Sequence, residues 1–197
     1  MIVQILYKIV IGLLVFLVIM ALVSIISRIV FNQKVKKELD KLTENLIFEE
    51  EVIFNDDLSH LPNPVQRWLT YSGVINKNDI KYVELHQDIK MRLGNDKPWM
   101  NASANQYITT DEPGFIWHVD INMAPLVHIS GRDKYINGRG EMLIKLMSLI
   151  KIADSRGDEI DQGTLLRYLA EICWLPTAAL KDYIQWESID EHHAKAM

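Results

Sequence analysis

At 197 residues with a formal net charge of −5, the chain has room for one domain and an appendage. The acidic balance excludes the concentrated basic face that a nucleic-acid partner requires, the more so once Lys8 and Arg28 near the N-terminus are set aside. A single cysteine, Cys173, excludes an intrachain disulfide and leaves the redox compartment open.

The appendage comes first. Ile9 to Ser27 is an uncharged run of Ile, Leu and Val bracketed by Lys8 and Arg28. As a helix it spans roughly 28 Å, about the thickness of a hydrocarbon core. A cleaved signal would have a shorter apolar region and a small-x-small site, which Ala21, Ser24 and Ser27 do not form. The run therefore reads as an uncleaved single-pass anchor over residues 1–31. Arg28, Lys34, Lys36 and Lys37 favour a cytoplasmic globular part. Long domains translocate regardless of such flanks, so the side is left undecided.

Residues 32–57 read as a charged helix and linker. Val35, Leu39, Leu42 and Leu46 make a narrow stripe, suited to a helix lying on the domain or to a short homodimeric coil. Residues 58–197 are the domain. Asn63 as N-cap, Pro64 at the first helical position and Gly73 as C-cap predict a short helix with Val65, Trp68 and Leu69 inward.

From Ile80 the period changes to two. Val83, Leu85, Ile89, Met91 and Leu93 alternate with polar residues, and Gly94-Asn95-Asp96 turns the chain. Further strands are expected at Trp99–Thr110, Phe115–Met123, Leu126–Asp133, Tyr135–Ile150 and, after a helix, Tyr183–Ile189. That helix is Gly163–Thr177, with Asp161 or Thr164 as N-cap and Pro176 as its stop. Leu165, Leu166, Leu169, Ile172 and Cys173 are expected to bury one broad face. The fold class is thus α+β: an N-terminal transmembrane helix, then a curved antiparallel β-meander packed on a central helix, with helices on one face.

The segments LPNPVQRWLTYSG, PWMNASANQYITT, PGFIWHVDINM, GRDKYINGRGEMLIKLMSLIKIAD and DQGTLLRYLAEICWLPTAAL resemble a bacterial family known only as a domain of unknown function. The resemblance runs from about Leu61 to the end, and is most specific at Arg167–Glu171 and Trp174–Thr177. It implies a membrane anchor and brings no activity with it. Since the family domain continues beyond the point matching Trp186, the resemblance implies a C-terminally shortened chain. Its last strand then lacks a partner and invites strand-mediated self-association.

No phosphate loop, zinc motif or nucleophile elbow occurs, so no catalytic residue, cofactor or metal is assigned. His86, His118 and His128 read as wet-face residues. The acids around Gly157 (Asp154, Asp158, Glu159 and Asp161) suit a helix N-terminus better than a calcium loop. The site candidate is Arg167 and Glu171, an i, i+4 pair inside an apolar helix. Exposed, such a pair is worth ~0.3–0.5 kcal/mol; buried, losing one partner costs roughly 3–5 kcal/mol. It serves either as an ion pair tying helix to sheet, or as the polar anchor of a cavity walled by Tyr168, Trp174, Trp117 and Trp99. Three functions follow: an apolar- or lipid-ligand-binding domain at the membrane, a protein-interaction scaffold, or a hydrolase with Glu171 as base and Arg167 holding an anion.

Overall fold

A computed structural model describes residues 2–92, 94–125 and 127–197; Leu93 and Leu126, expected at strand ends, lie outside these. Six antiparallel strands follow one another in sequence order as a single meander. They are β1 (Tyr82–Met91), β2 (Met100–Thr109), β3 (Gly114–Ala124), β4 (Val127–Ile136), β5 (Arg139–Leu146) and β6 (Ile150–Arg156). The architecture is α+β, as the alternation predicts. The strict parity of β1 to β4 sets two faces. One carries Ile108, Phe115 and Tyr135, the other Tyr107, Ile116 and Lys134.

The first helix, α1 (Ile2–Thr43), runs unbroken from the apolar segment into the charged one. It is long and apolar enough to cross a membrane. Its buried residues Ser24, Ser27, Phe31 and Val35 recur at helical spacing on one stripe. That stripe lies along the second face of the sheet, with Phe31 and Val35 packed on Ile116 and Leu143. Helices therefore cover both faces, not one. The Val35 stripe is occupied by the sheet, so it is not the seam of a homodimeric coil. At the far end Leu42 reaches Gly114, where an added Cβ would come within 2.7 Å of its methyl group.

The other face receives α3 (Asp158–Glu171) and α2 (Asn63–Ser72). Gly73 caps α2 in the left-handed region with φ 74°, as expected, whereas Asn63 is already helical. Asp161 and Thr164 sit inside α3, whose first turn begins after Gly157. Asp161 instead accepts from the Gly140 amide and Arg139, clamping α3 to β5. Gly140 has no room for a side chain, since a Cβ there would meet Thr164 Oγ1 at 2.3 Å and Ile160 O at 2.6 Å. Tyr168 and Ile172 are buried, but Leu165, Leu166 and Cys173 face outward. Of the expected broad apolar face, only Leu169 and Ile172 pack on the core.

Two other expectations need correction. The stretch from Tyr135 to Ile150 is the end of β4, the whole of β5 and the first residue of β6, because β4 and β5 are joined by Asn137-Gly138, both at positive φ. The segment after Tyr183 is β7 (Trp186–Ser188), and it is paired with β8 (Ala194–Ala196), so it is not an open edge. Upstream, Asp79 binds Lys81 and Lys181 at 2.8 and 2.6 Å. Burial pushes its carboxyl up, but the hydrogen bonds from the two lysines outweigh this and hold it below the ordinary range.

Of the three histidines expected on a wet face, His86 is exposed, whereas His118 and His128 are covered by α1. His128 is buried and His118 stacks at 5.6 Å from the Phe31 ring. Burial holds both imidazoles below their ordinary value; Arg28 acts in the same sense and Asp120 against it. Neutral in the folded chain, they take up protons from about pH 6.5 downward once unfolded. Their contribution to stability is therefore full above that pH and lost as pH falls toward the folded values. We expect the denaturation midpoint to fall between about pH 7 and pH 5. Replacing His118 with Leu should flatten that dependence; an unchanged slope would show that the imidazole is not what titrates.

Candidate functional site

The sequence gives two warnings about where polarity enters the interior. On the inward parity of β2, Met100, Ala102, Ala104 and Ile108 are interrupted by Gln106; on β4, Ile129, Gly131 and Tyr135 are interrupted by Asp133. These two residues fall in one cross-strand row with Trp117 between them. The row is the floor beneath Arg167 and Glu171.

Arg167 donates from Nη1 to Asp133 Oδ2 and from Nε to Glu171 Oε1, both at 2.9 Å. Gln106 Nε2 donates to the other Glu171 oxygen. The guanidinium stands over the rings of Phe115 and Trp117, 4.8 and 5.2 Å from their centres. Burial raises the Asp133 carboxyl, against the pull of Arg167 and Arg132. Arg167, Asp133 and Glu171 keep about a quarter of their side-chain surface exposed, so the cluster has an open side. Two carboxylates already flank its one guanidinium. The cluster thus disfavours an anion and suits an uncharged or amine-bearing group. Each oxygen of Glu171 accepts one hydrogen bond, from Arg167 and from Gln106, which holds the carboxylate in place.

Next to this cluster, toward the far ends of the strands, the same face changes character. Ala102, Ala104, Val119, Ile121 and Ile129 form a buried apolar floor separate from the core under α3. Ile89, Met91 and Met100 pack on it from one edge of the sheet, Ile144 and Leu146 from the other, with Trp117 at the polar end. Small residues on the floor are covered by the longer ones from both sides, methionines included, whose side chains are adaptable.

Of the residues singled out by sequence, Arg167, Glu171 and Trp117 come together here. Tyr168 does not: it is buried on the core side, its hydroxyl donating to Thr109 O and sharing a hydrogen bond with Tyr183 Oη, each at 2.9 Å. Burial lifts both phenols, Tyr183 to about 12. Trp174 is 53% exposed beyond the end of α3. Trp99 is 63% exposed in the β1–β2 turn with Arg92 stacked on it. The space between α3 and the sheet is packed core, so these three residues do not wall one cavity.

A second buried charge cluster, not singled out by sequence, lies under α1. Arg132 reaches Glu38 at 3.2 Å and Glu141 at 3.0 Å, and Lys134 bridges the same two carboxylates. It joins α1 to β4 and β5 and offers no open side at Arg132, which is 1% exposed.

No curated protein and no solved structure matches the chain. The meander, both capping helices of its inner face and the terminal hairpin, residues 51–197, match the model of a family of unknown function, DUF6544, and the chain belongs to that family.

Proposed function

We propose that this protein is a membrane-anchored, non-enzymatic domain that holds an apolar or lipid-like ligand along the inner face of its sheet. The observation that carries this is a second apolar cluster on the sheet, Ala102, Ala104, Val119, Ile121 and Ile129, covered by adaptable side chains and adjoining the partly exposed Arg167–Asp133–Glu171 cluster through Trp117. Apolar walls with a few placed polar groups are the ordinary make-up of a small-molecule site. The ligand's tail lies on the floor, and an uncharged or amine-bearing head meets Asp133 and Glu171. Aliphatic burial at roughly 0.8 kcal/mol per methylene supplies the affinity.

The test uses the full chain in nanodiscs containing a phospholipid with a diazirine on its acyl chain. After illumination, labelled peptides should include those bearing Met91, Met100 and Trp117. Ala102→Leu, which crowds the floor, should reduce that labelling several-fold at a cost of about 1–3 kcal/mol in stability. Labelling confined to α1 and indifferent to the substitution would overturn the proposal.

A second reading, a protein-interaction scaffold, is favoured by one feature. Leu165, Leu166 and Trp174 form exposed apolar surface on the outer side of α3, and β6 beside it is an edge strand of the sheet. A partner strand, from a second copy or another protein, would add at β6, beside that apolar surface.

A further inference from the structure

We infer that one end of the sheet is itself a membrane-contacting surface, inserted at the lipid interface beside the span. This rests on the reading of α1 as a membrane anchor and adds a second attachment to it. The level of that end relative to the span is fixed by contacts. Ser27, the last residue of the uncharged run, donates to Met147 O at 2.6 Å, and Arg28 pairs with Asp120 at 3.1 Å. Ser24, Ile25 and Arg28 line a cavity of about 210 Å³ together with Asn122, Ala124, Val127 and His128. From there α1 runs up the sheet past His118 and Arg132 to Gly114 at the opposite end. The strands thus stand along the helix, and the β3–β4 and β5–β6 turns sit level with the last turn of the span.

Those turns are apolar and uncovered. Met123 is 47% exposed, and Leu149, Ile150 and Ile152 are each more than half exposed. The β5–β6 turn holds its shape by its own bonds: Met147 and Ser148 both have positive φ, and the Ser148 hydroxyl is tied to His128 and Ser130. It presents Leu149 outward as a fixed feature. Trp99, at the tip of the neighbouring β1–β2 turn, has the amphipathic character that places tryptophan at headgroup level.

The experiment places one environment-sensitive fluorophore at a time on the full chain, in a Cys173→Ser background, reconstituted into phosphatidylcholine–phosphatidylglycerol vesicles. Labels go at Met123→Cys and Leu149→Cys, at Leu17→Cys within the span, and at Asp158→Cys on the opposite end. Nitroxide-bearing lipid should quench positions 123 and 149 several-fold more than position 158, with blue-shifted emission approaching that of position 17. If position 17 is quenched by lipid but 123 and 149 respond to aqueous iodide like 158, insertion of the sheet end is overturned and the anchor stands. If position 17 also responds to iodide, the span reading fails and this proposal with it.

Discussion

Arg132→Met should cost about 3–5 kcal/mol, because it removes the cation from a buried cluster and leaves Glu38 and Glu141 facing each other across low-dielectric space. For a chain of this length that lowers the thermal midpoint by about 10 °C or more. Lys134, at 3.1 and 3.4 Å from the same carboxylates, keeps the loss toward the lower end of that range. Arg132→Lys restores the charge but not the fork that contacts both partners, so it should recover only part of the loss. Arg167→Met is the internal comparison. Its cluster is open to solvent on one side, so the loss should be nearer 1 kcal/mol. A melt of Arg132→Met within about 2 °C of the parent would mean that Glu38 and Glu141 find water or protons at no cost, and that the cluster is not a structural joint.

The two arginines also show what the sequence made legible. Arg167 stands out because it sits among leucines at helical spacing from Glu171, and the structure does turn that pair inward. The reason is on the sheet: Phe115 and Trp117 offer ring faces, while Asp133 and Gln106 offer partners, so the polar side of α3 docks and Leu165 and Leu166 are left outside. Helical spacing alone cannot rank an apolar face against a polar one whose partners lie elsewhere in the chain. Arg132 falls on the outward parity of β4 and reads as solvated until a helix from the other end of the sequence covers it. His118 and His128 are concealed in the same way. The strands β1 to β4 were legible because one face alternates strictly, and α2 because Pro64 and Gly73 bracket it. β6 was not, because Met147 and Ser148 make a positive-φ turn with neither glycine nor proline, a signal that sequence reading does not carry.

A chain beginning at residue 48, which retains the whole matched family region, should lose its cooperative melt and aggregate, whereas one beginning at residue 23 should keep it. The difference is the half of α1 that lies on the sheet. Phe31, Val35, Ile116 and Leu143 are each less than 8% exposed and bury one another. At about 1.5–3 kcal/mol per fully buried side chain, uncovering four of them removes roughly 6–12 kcal/mol. That is comparable to the whole stability of an ordinary domain, about 5–15 kcal/mol. Glu38 leaves with the helix, so Arg132 also loses one of its two carboxylates while Ile116 and Leu143 face water. Residues 24–43 are therefore structural parts of the domain as well as the continuation of the apolar helix, and the boundary drawn at residue 57 by composition cuts through a packed interface. Circular dichroism melts and size-exclusion profiles of the two shortened chains in mild detergent decide the matter. A sharp transition for 48–197 at the midpoint of 23–197 would show that the sheet's second face tolerates exposure, and that α1 is only a tether.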